Sequence, residues 1–221
     1  MKKILLVVSM LGSLVAAGAQ EKKSGSMPPE DYYLMPSFGK GMVYFSGQAP
    51  AQGELNICAV DNTLRFKDDN GKELVATNEE TVVKVQIDTV VFLRYHDVYY
   101  RMYPITGDVG IALRRNVLIE TDAKTGAYGG VSRTSSIREY GTLYTEGMAY
   151  KLDGNKEYPY SINEILYLYR GNTVLLMSKK NLRKLFPDRK AEIDAFFKSG
   201  GSMPRTLSEA MDFLSRWAGK E

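Results

Sequence analysis

The chain has 221 residues, 44% of them hydrophobic and 25% charged, with a formal net charge of +3. Such values suit one globular domain, or one domain with a small appendage, that buries a core. Two of the positive charges, Lys2 and Lys3, lie in a segment expected to be removed, which brings the mature chain to +1 and sets nucleic acid aside as a partner.

The N-terminus carries the strongest signal. Met1-Lys2-Lys3 is basic, Ile4 to Val15 is mostly apolar, and Ala17-Gly18-Ala19 has the A-x-A form of a cleavage site before Gln20. This is the layout of a secretory signal peptide over residues 1–19. The apolar run is shorter than the roughly 20 residues needed to span a bilayer. The expected mature protein is therefore exported, periplasmic or extracellular, and soluble. Cys58 is the single cysteine, so no internal disulfide can form. It lies in the apolar run Leu55 to Val60 and reads as a small buried hydrophobe; a reactive thiol needs an electropositive, accessible setting.

Gln20 to Glu30, with Pro28-Pro29, reads as a disordered leader. From Asp31 the grammar is that of short strands and polar turns. Strands are expected at Met42 to Phe45, Leu55 to Val60, Thr63 to Phe66 and Glu73 to Ala76, with Gln48 to Gly53 as a loop and Asn70-Gly71 as a tight turn. Val82 to Ile87, Val90 to Tyr95 and Val98 to Tyr103 form an antiparallel meander broken at Asp88-Thr89 and His96-Asp97. A long strand follows over Ile111 to Ala123. Lys124 to Ser136 is Gly-rich and reads as an exposed loop. Short strands are assigned to Thr142–Thr145, Ala149–Leu152 and Tyr158–Ile162, and a hairpin to Glu164–Tyr169 and Thr173–Met177.

At Ser178 the period changes from two to about 3.6. Ser178 caps a helix reaching Phe186, a second helix runs from Asp188 to Lys198, and Gly200-Gly201 ends it. Thr206-Leu207-Ser208-Glu209 fits a capping box, followed by the stripe Leu207, Ala210, Met211, Leu214 and Trp217. The fold class is α+β, mainly β: an antiparallel barrel-like or sandwich domain over residues 31–177, with a helical segment over 178–221 packed on it. Connections this short leave no room for crossover helices.

Common chemistries fail on context. Ser37-Phe38-Gly39-Lys40 and Lys124-Thr125-Gly126 match elements of penicillin-binding proteins, but glycines break the required helix and Ser161-Ile162-Asn163 comes in the wrong order. His96, the only histidine, sits in a tight turn and not beside a nucleophile. One His and one Cys cannot build the usual zinc site, and Lys72 spoils the calcium-like run at Asp68. No catalytic residue, metal or cofactor is assigned. Carboxylates are plentiful, so the alternative is a carboxylate-based hydrolase acting on envelope or dietary glycans.

Two features favour binding. Tyr99, Arg101 and Tyr103 share one strand face and predict an aromatic and guanidinium strip for a glycan or protein partner. Lys179, Lys180, Arg183 and Lys184 predict contact with an anionic envelope surface.

The signal peptide before Gln20, the run Leu64-Arg65-Phe66 to Asn70-Gly71-Lys72-Glu73-Leu74, and the segment Lys179-Lys180-Asn181-Leu182-Arg183-Lys184-Leu185-Phe186-Pro187 together resemble small exported proteins of Bacteroidota with no assigned activity. The resemblance implies an envelope location and transfers no site residues. The reading it accompanies is a non-enzymatic binding or structural module of the cell envelope.

Overall fold

The computed structural model describes residues 27–119 and 160–218. The expected signal peptide, most of the leader, the Gly-rich loop and the short strands at Thr142–Thr145 and Ala149–Leu152 lie outside them. Ten strands pair antiparallel in a single sheet. They are β1 (Gly39–Phe45), β2 (Ala51–Ile57), β3 (Leu64–Lys67), β4 (Glu73–Val75), β5 (Val82–Ile87), β6 (Val90–Tyr95), β7 (Val98–Thr106), β8 (Val109–Ile119), β9 (Tyr160–Arg170) and β10 (Thr173–Leu176). Helix α1 (Pro29–Tyr32) precedes them, and α2 (Lys179–Leu185), α3 (Lys190–Lys198) and α4 (Leu207–Ala218) follow. The spatial order is β10-β9-β8-β7-β6-β5-β1-β2-β3-β4. Each strand pairs with its chain neighbour except at one place, where β5 pairs with β1.

The mainly β class with C-terminal helices is therefore correct, but the sheet is open. The expected barrel or sandwich needs either a ladder between β4 and β10 or a second sheet; the described residues contain neither. Strand twist does the enclosing. The β7-β6-β5-β1-β2-β3 part coils around Val43, Leu55, Ile57, Leu64, Val82, Val85, Ile87, Phe92 and Tyr99. Side chains stitch its rim where backbone pairing stops. Asn62, in the β2–β3 turn, accepts from the Tyr99 N–H at 3.1 Å and donates to the Asp97 carbonyl. Asn56 is fully buried: its carbonyl oxygen accepts from the N–H groups of Met35 (3.1 Å) and Ile57 (2.8 Å), and its amide donates to the Met35 carbonyl (3.0 Å).

The second half is built differently. Val109 and Ile111 of β8 and Leu168 of β9 form one apolar face with Tyr103 and Ile105 of β7. Leu182, Leu185, Ile193, Ala210, Phe213, Leu214 and Trp217 cover it from the helices. Phe196, Phe213 and Trp217 meet edge-on, with ring centroids 5.7–6.1 Å apart. The capping box forms: the Glu209 N–H donates to the Thr206 hydroxyl at 3.2 Å, and the Glu209 carboxylate accepts from the Arg205 N–H at 2.9 Å. Ser178 caps α2 through the Asn181 N–H, and Gly200, at φ +92°, closes α3 in the left-handed region.

Several boundaries differ from expectation. β2 begins at Ala51, inside the expected Gln48–Gly53 loop, because those residues pair with β1. β9 is one strand from Tyr160 and not two, because it runs the full length of β8. β7 continues through Pro104, where the register shifts opposite Gly110. A side chain at Gly110 would start 2.3 Å from the Tyr103 carbonyl, so the shift needs glycine there. The end of the expected leader is structured, with α1 beginning at Pro29. The Asp31 carboxylate is buried and accepts from the Tyr160 hydroxyl at 2.7 Å, and Leu34 donates its N–H to the Ile57 carbonyl at 2.9 Å.

Candidate functional site

The expected aromatic strip does not reach the surface as a unit. Tyr99 is 1% exposed and belongs to the coil core; its hydroxyl donates to Glu79 at 2.7 Å. Tyr103 packs into the helix-covered core, and Arg101, half-buried, lies over the Tyr103 ring at 5.4 Å. The face that carries Tyr99, Arg101 and Tyr103 is covered because the coil takes its first third and the helices its last. Both sides of β7 are occupied here, since Tyr100 is also buried and its hydroxyl is pushed up to about 12, mainly by burial.

The basic patch is partly spent on the fold. Lys179 and Arg183 reach Asp194 of α3 at 3.0 and 3.3 Å, and Lys179 also lies over Phe197. The hydrogen bond from Lys179, aided by the Arg183 charge, holds the Asp194 carboxyl below the usual range. Lys180 and Lys184 point away from this pair and are exposed.

Cys58 is fully buried, and burial beside Asp61 pushes its thiol up to about 12. That sets it apart from a nucleophile, which must be thiolate at working pH. Next to it Arg65, 7% exposed, bonds Asp61 and the Thr63 hydroxyl and closes the β2–β3 hairpin. His96 and Asp97 both have positive φ, as a tight hairpin turn requires, and Asp97 pairs with Arg94 at 2.8 Å. Burial raises the Glu79 carboxyl above its ordinary range. It accepts from Tyr99 and, at 3.0 Å, from the Leu64 N–H, so it is a structural acid with its partners in place.

Two concavities are lined by described residues. One, of about 540 Å³, is a shallow depression on the outer face of β2, β1 and β5, lined by Lys40, Met42, Tyr44, Gln52, Gln86 and Asp88. Lys84 lies 4.1 Å over the Tyr44 ring and occupies one of its faces. The other, of about 480 Å³, is a more enclosed cleft where the β7–β8 turn and the end of β9 meet the helical layer. Thr106, Gly107 and Asp108 form one wall; Phe186, Pro187, Asp188, Arg189 and Glu192 form the opposite one; Arg170, Trp217 and Ala218 complete it.

Local rules build each wall. Gly107 takes φ +50°, which lets a two-residue turn present Asp108. The Asp108 carbonyl accepts the Gly171 N–H at 2.9 Å, so the two hairpin tips are held together. Arg170 donates to the Leu185 carbonyl at 3.1 Å and sits 4.0 Å from the Asp108 carboxylate. Pro187 stops α2 and opens a 3-10 turn, Pro187–Arg189, which carries Asp188 and Arg189 to the rim. Trp217 is 7% exposed, and its indole N–H is buried without an acceptor among the described residues. The arrangement holds hydrogen-bond donors and acceptors of both charges beside an apolar wall, which is the make-up of a small-molecule site. Sequence reasoning placed Asp188 and Arg189 at a helix start, but no local signal joins residues 62 or more positions apart, such as Asp108 and Arg170.

No family model matches the chain, and no curated protein or solved structure matches it either. Among the described residues there is no grouping of His, Cys, Asp or Glu fit to hold a metal ion, and no helix long and apolar enough to cross a membrane.

Proposed function

We propose that this chain is an exported binding module of the cell envelope, and that its ligand enters the cleft between the hairpin tips and the helical layer. The observation that carries the reading is the convergence of Asp108, Arg170, Asp188, Arg189 and Glu192 with Trp217 in one cleft of about 480 Å³. That volume falls within the range of roughly 300–1,000 Å³ common to ligand sites. The signal-peptide pattern and the resemblance to exported Bacteroidota proteins support the location. The exposed Lys180 and Lys184 support a weak additional contact with an anionic envelope surface.

Two measurements test this. Mass spectrometry of the protein recovered from the envelope fraction is expected to find Gln20 at the N-terminus; an intact Met1 refutes export by this route. Purified mature protein is expected to sediment with isolated envelope material, and Thr106→Trp, which fills the cleft, is expected to abolish that. Equal sedimentation of both proteins rejects the cleft as the site.

The second reading, a carboxylate-based hydrolase, is favoured by the three acids Asp108, Asp188 and Glu192 in the same cleft. It requires release of reducing ends from envelope or dietary glycans, lost in Asp188→Asn.

A further inference from the structure

Resting on the envelope location read above, but on a different face from the cleft, we infer that the lysines of α2 and α3 hold the protein against an anionic lipid bilayer. Between Ser178 and Ser199 the chain carries seven cations and three acids, a net charge of +4. The mature chain as a whole carries +1, so the rest of the molecule is net acidic and the positive charge is gathered on these two helices. The fold then sorts the charges. Asp188 and Glu192, which a negative surface would repel, line the cleft. Asp194 lies between α2 and α3, where Lys179 and Arg183 bond it and the Lys190 charge adds to their pull. Lys180, Lys184 and Lys198 are left over: they are exposed and form no ion pair with any described residue. Helical spacing sets Lys180 and Lys184 one turn apart, away from the buried Leu182 and Leu185, and turns Lys198 away from the buried Ile193.

The kind of cation selects the kind of partner. The three unpaired cations are all lysines. The two arginines of the stretch are placed elsewhere, Arg183 on Asp194 and Arg189 in the cleft lining. A lysine is a hydrated point charge on a flexible stem, without the planar fork that grips one carboxylate or phosphate in a fixed geometry. Several such charges on one helical face suit a dense array of lipid headgroups, where no single contact has to be oriented. Each cation near such a surface strengthens binding about fivefold, and the gain fades within a Debye length. An anion recognised by shape needs oriented donors, and on these helices the guanidinium groups that would supply them are turned to Asp194 and to the cleft.

The mature protein is sedimented at low ionic strength with vesicles of phosphatidylcholine alone, and with vesicles of equal parts phosphatidylcholine and phosphatidylglycerol. Binding to the second and not to the first is expected, with its loss at about 0.5 M salt, where charges on a surface are screened within a few ångströms. At that salt, sedimentation with envelope material reads the cleft alone. The triple variant Lys180→Gln, Lys184→Gln, Lys198→Gln is expected to bind the anionic vesicles about a hundredfold more weakly. It is also expected to unfold at the wild-type denaturant midpoint, since none of the three side chains holds an ion-pair partner among the described residues. Thr106→Trp, with its cleft filled, is expected to bind the vesicles as the wild type does, so failure of the cleft and failure of this face are told apart. Equal binding by the triple variant, equal binding to neutral vesicles, or loss of vesicle binding in Thr106→Trp overturns the inference. Tighter binding of polygalacturonate than of anionic vesicles at equal anionic charge also overturns it and makes the face a polymer site.

Discussion

The coil formed by β1–β3 and β5–β7 covers its core by folding the sheet over itself, whereas the β7–β10 layer covers its face with three helices. The first solution leaves a rim of backbone and polar groups that must be paired one by one. Asn56, Asn62, Arg65 and the Glu79–Tyr99 pair do this, and they are buried or half-buried in the process. The second solution is almost wholly apolar inside. Its polar groups collect where the helices stop short of the hairpin tips, and there they form a cleft. Enclosure by the sheet thus consumes polar side chains, and enclosure by helices releases them.

The contrast predicts different kinds of damage. In the helical layer a lost contact leaves a hole. Trp217→Ala is expected to destabilise by about 3–5 kcal/mol, the range for a large aromatic removed from a core, read from chemical denaturation. Deleting residues 206–221 removes all of α4 and is expected to give an unfolded or aggregating product. A truncated protein with the full-length midpoint would make the layer a detachable appendage and end the comparison.

In the coil a lost contact leaves stranded polar groups. Asn56→Ala exposes the N–H groups of Met35 and Ile57 and the Met35 carbonyl to an apolar surrounding. The expected loss is about 1–3 kcal/mol. Its signature is early exchange of the amide hydrogens of Met35 and Ile57 while those of β8 and β9 stay protected. Uniform loss of protection across both halves would contradict the separate sealing of the coil.

The smallest effect is a dependence on pH. Burial raises the Glu79 pKa, opposed by the hydrogen bonds from Tyr99 and Leu64 and by the Arg94 charge. A folded-state value above the unfolded one means the folded chain holds that proton more tightly. The associated stability is fully present below the ordinary carboxylate range and is lost as pH rises through the folded value. Glu79→Gln keeps an acceptor and a donor there but cannot ionise. Its thermal midpoint relative to wild type is therefore expected to be higher at neutral pH than near pH 4. A constant offset across that interval would assign Glu79 no titration on folding.

Much of the sheet was legible because its strands are local. Val82–Ile87, Val90–Tyr95 and the His96-Asp97 turn declare themselves through β-branched runs and short polar breaks, and the observed elements share those bounds. The capping box at Thr206 and the stop at Gly200 are equally local. What was hidden depends on which strand meets which. Nothing in β1 announces that it pairs with β5, and that single pairing decides that the sheet coils. Tyr99 reads like Tyr103 in an alternating strand, yet the coil takes one and the helices take the other. Phe213 was missed beside the stripe Leu207, Met211, Leu214 and Trp217 because the sheet meets α4 over a wider arc than a single row. The cleft was hidden for the same reason, being assembled from three connections far apart in sequence.

The buried bond between Asp31 and Tyr160 joins positions 129 residues apart. The Glu30 carbonyl accepts from Arg115 across 85 residues in the same region. Non-local closures of this kind slow folding, because loop entropy is lost before the contact forms. As the chain emerges from its N-terminus, α1 must wait for β9, among the last strands to appear. Until then Tyr32, Tyr33 and Leu34 have only part of their final environment, and the open end of the coil core lies uncovered. The chain's period of greatest exposure to proteases and to self-association is therefore set by these two long-range bonds. A protein whose α1 is locked by its last hairpin folds late and as a unit.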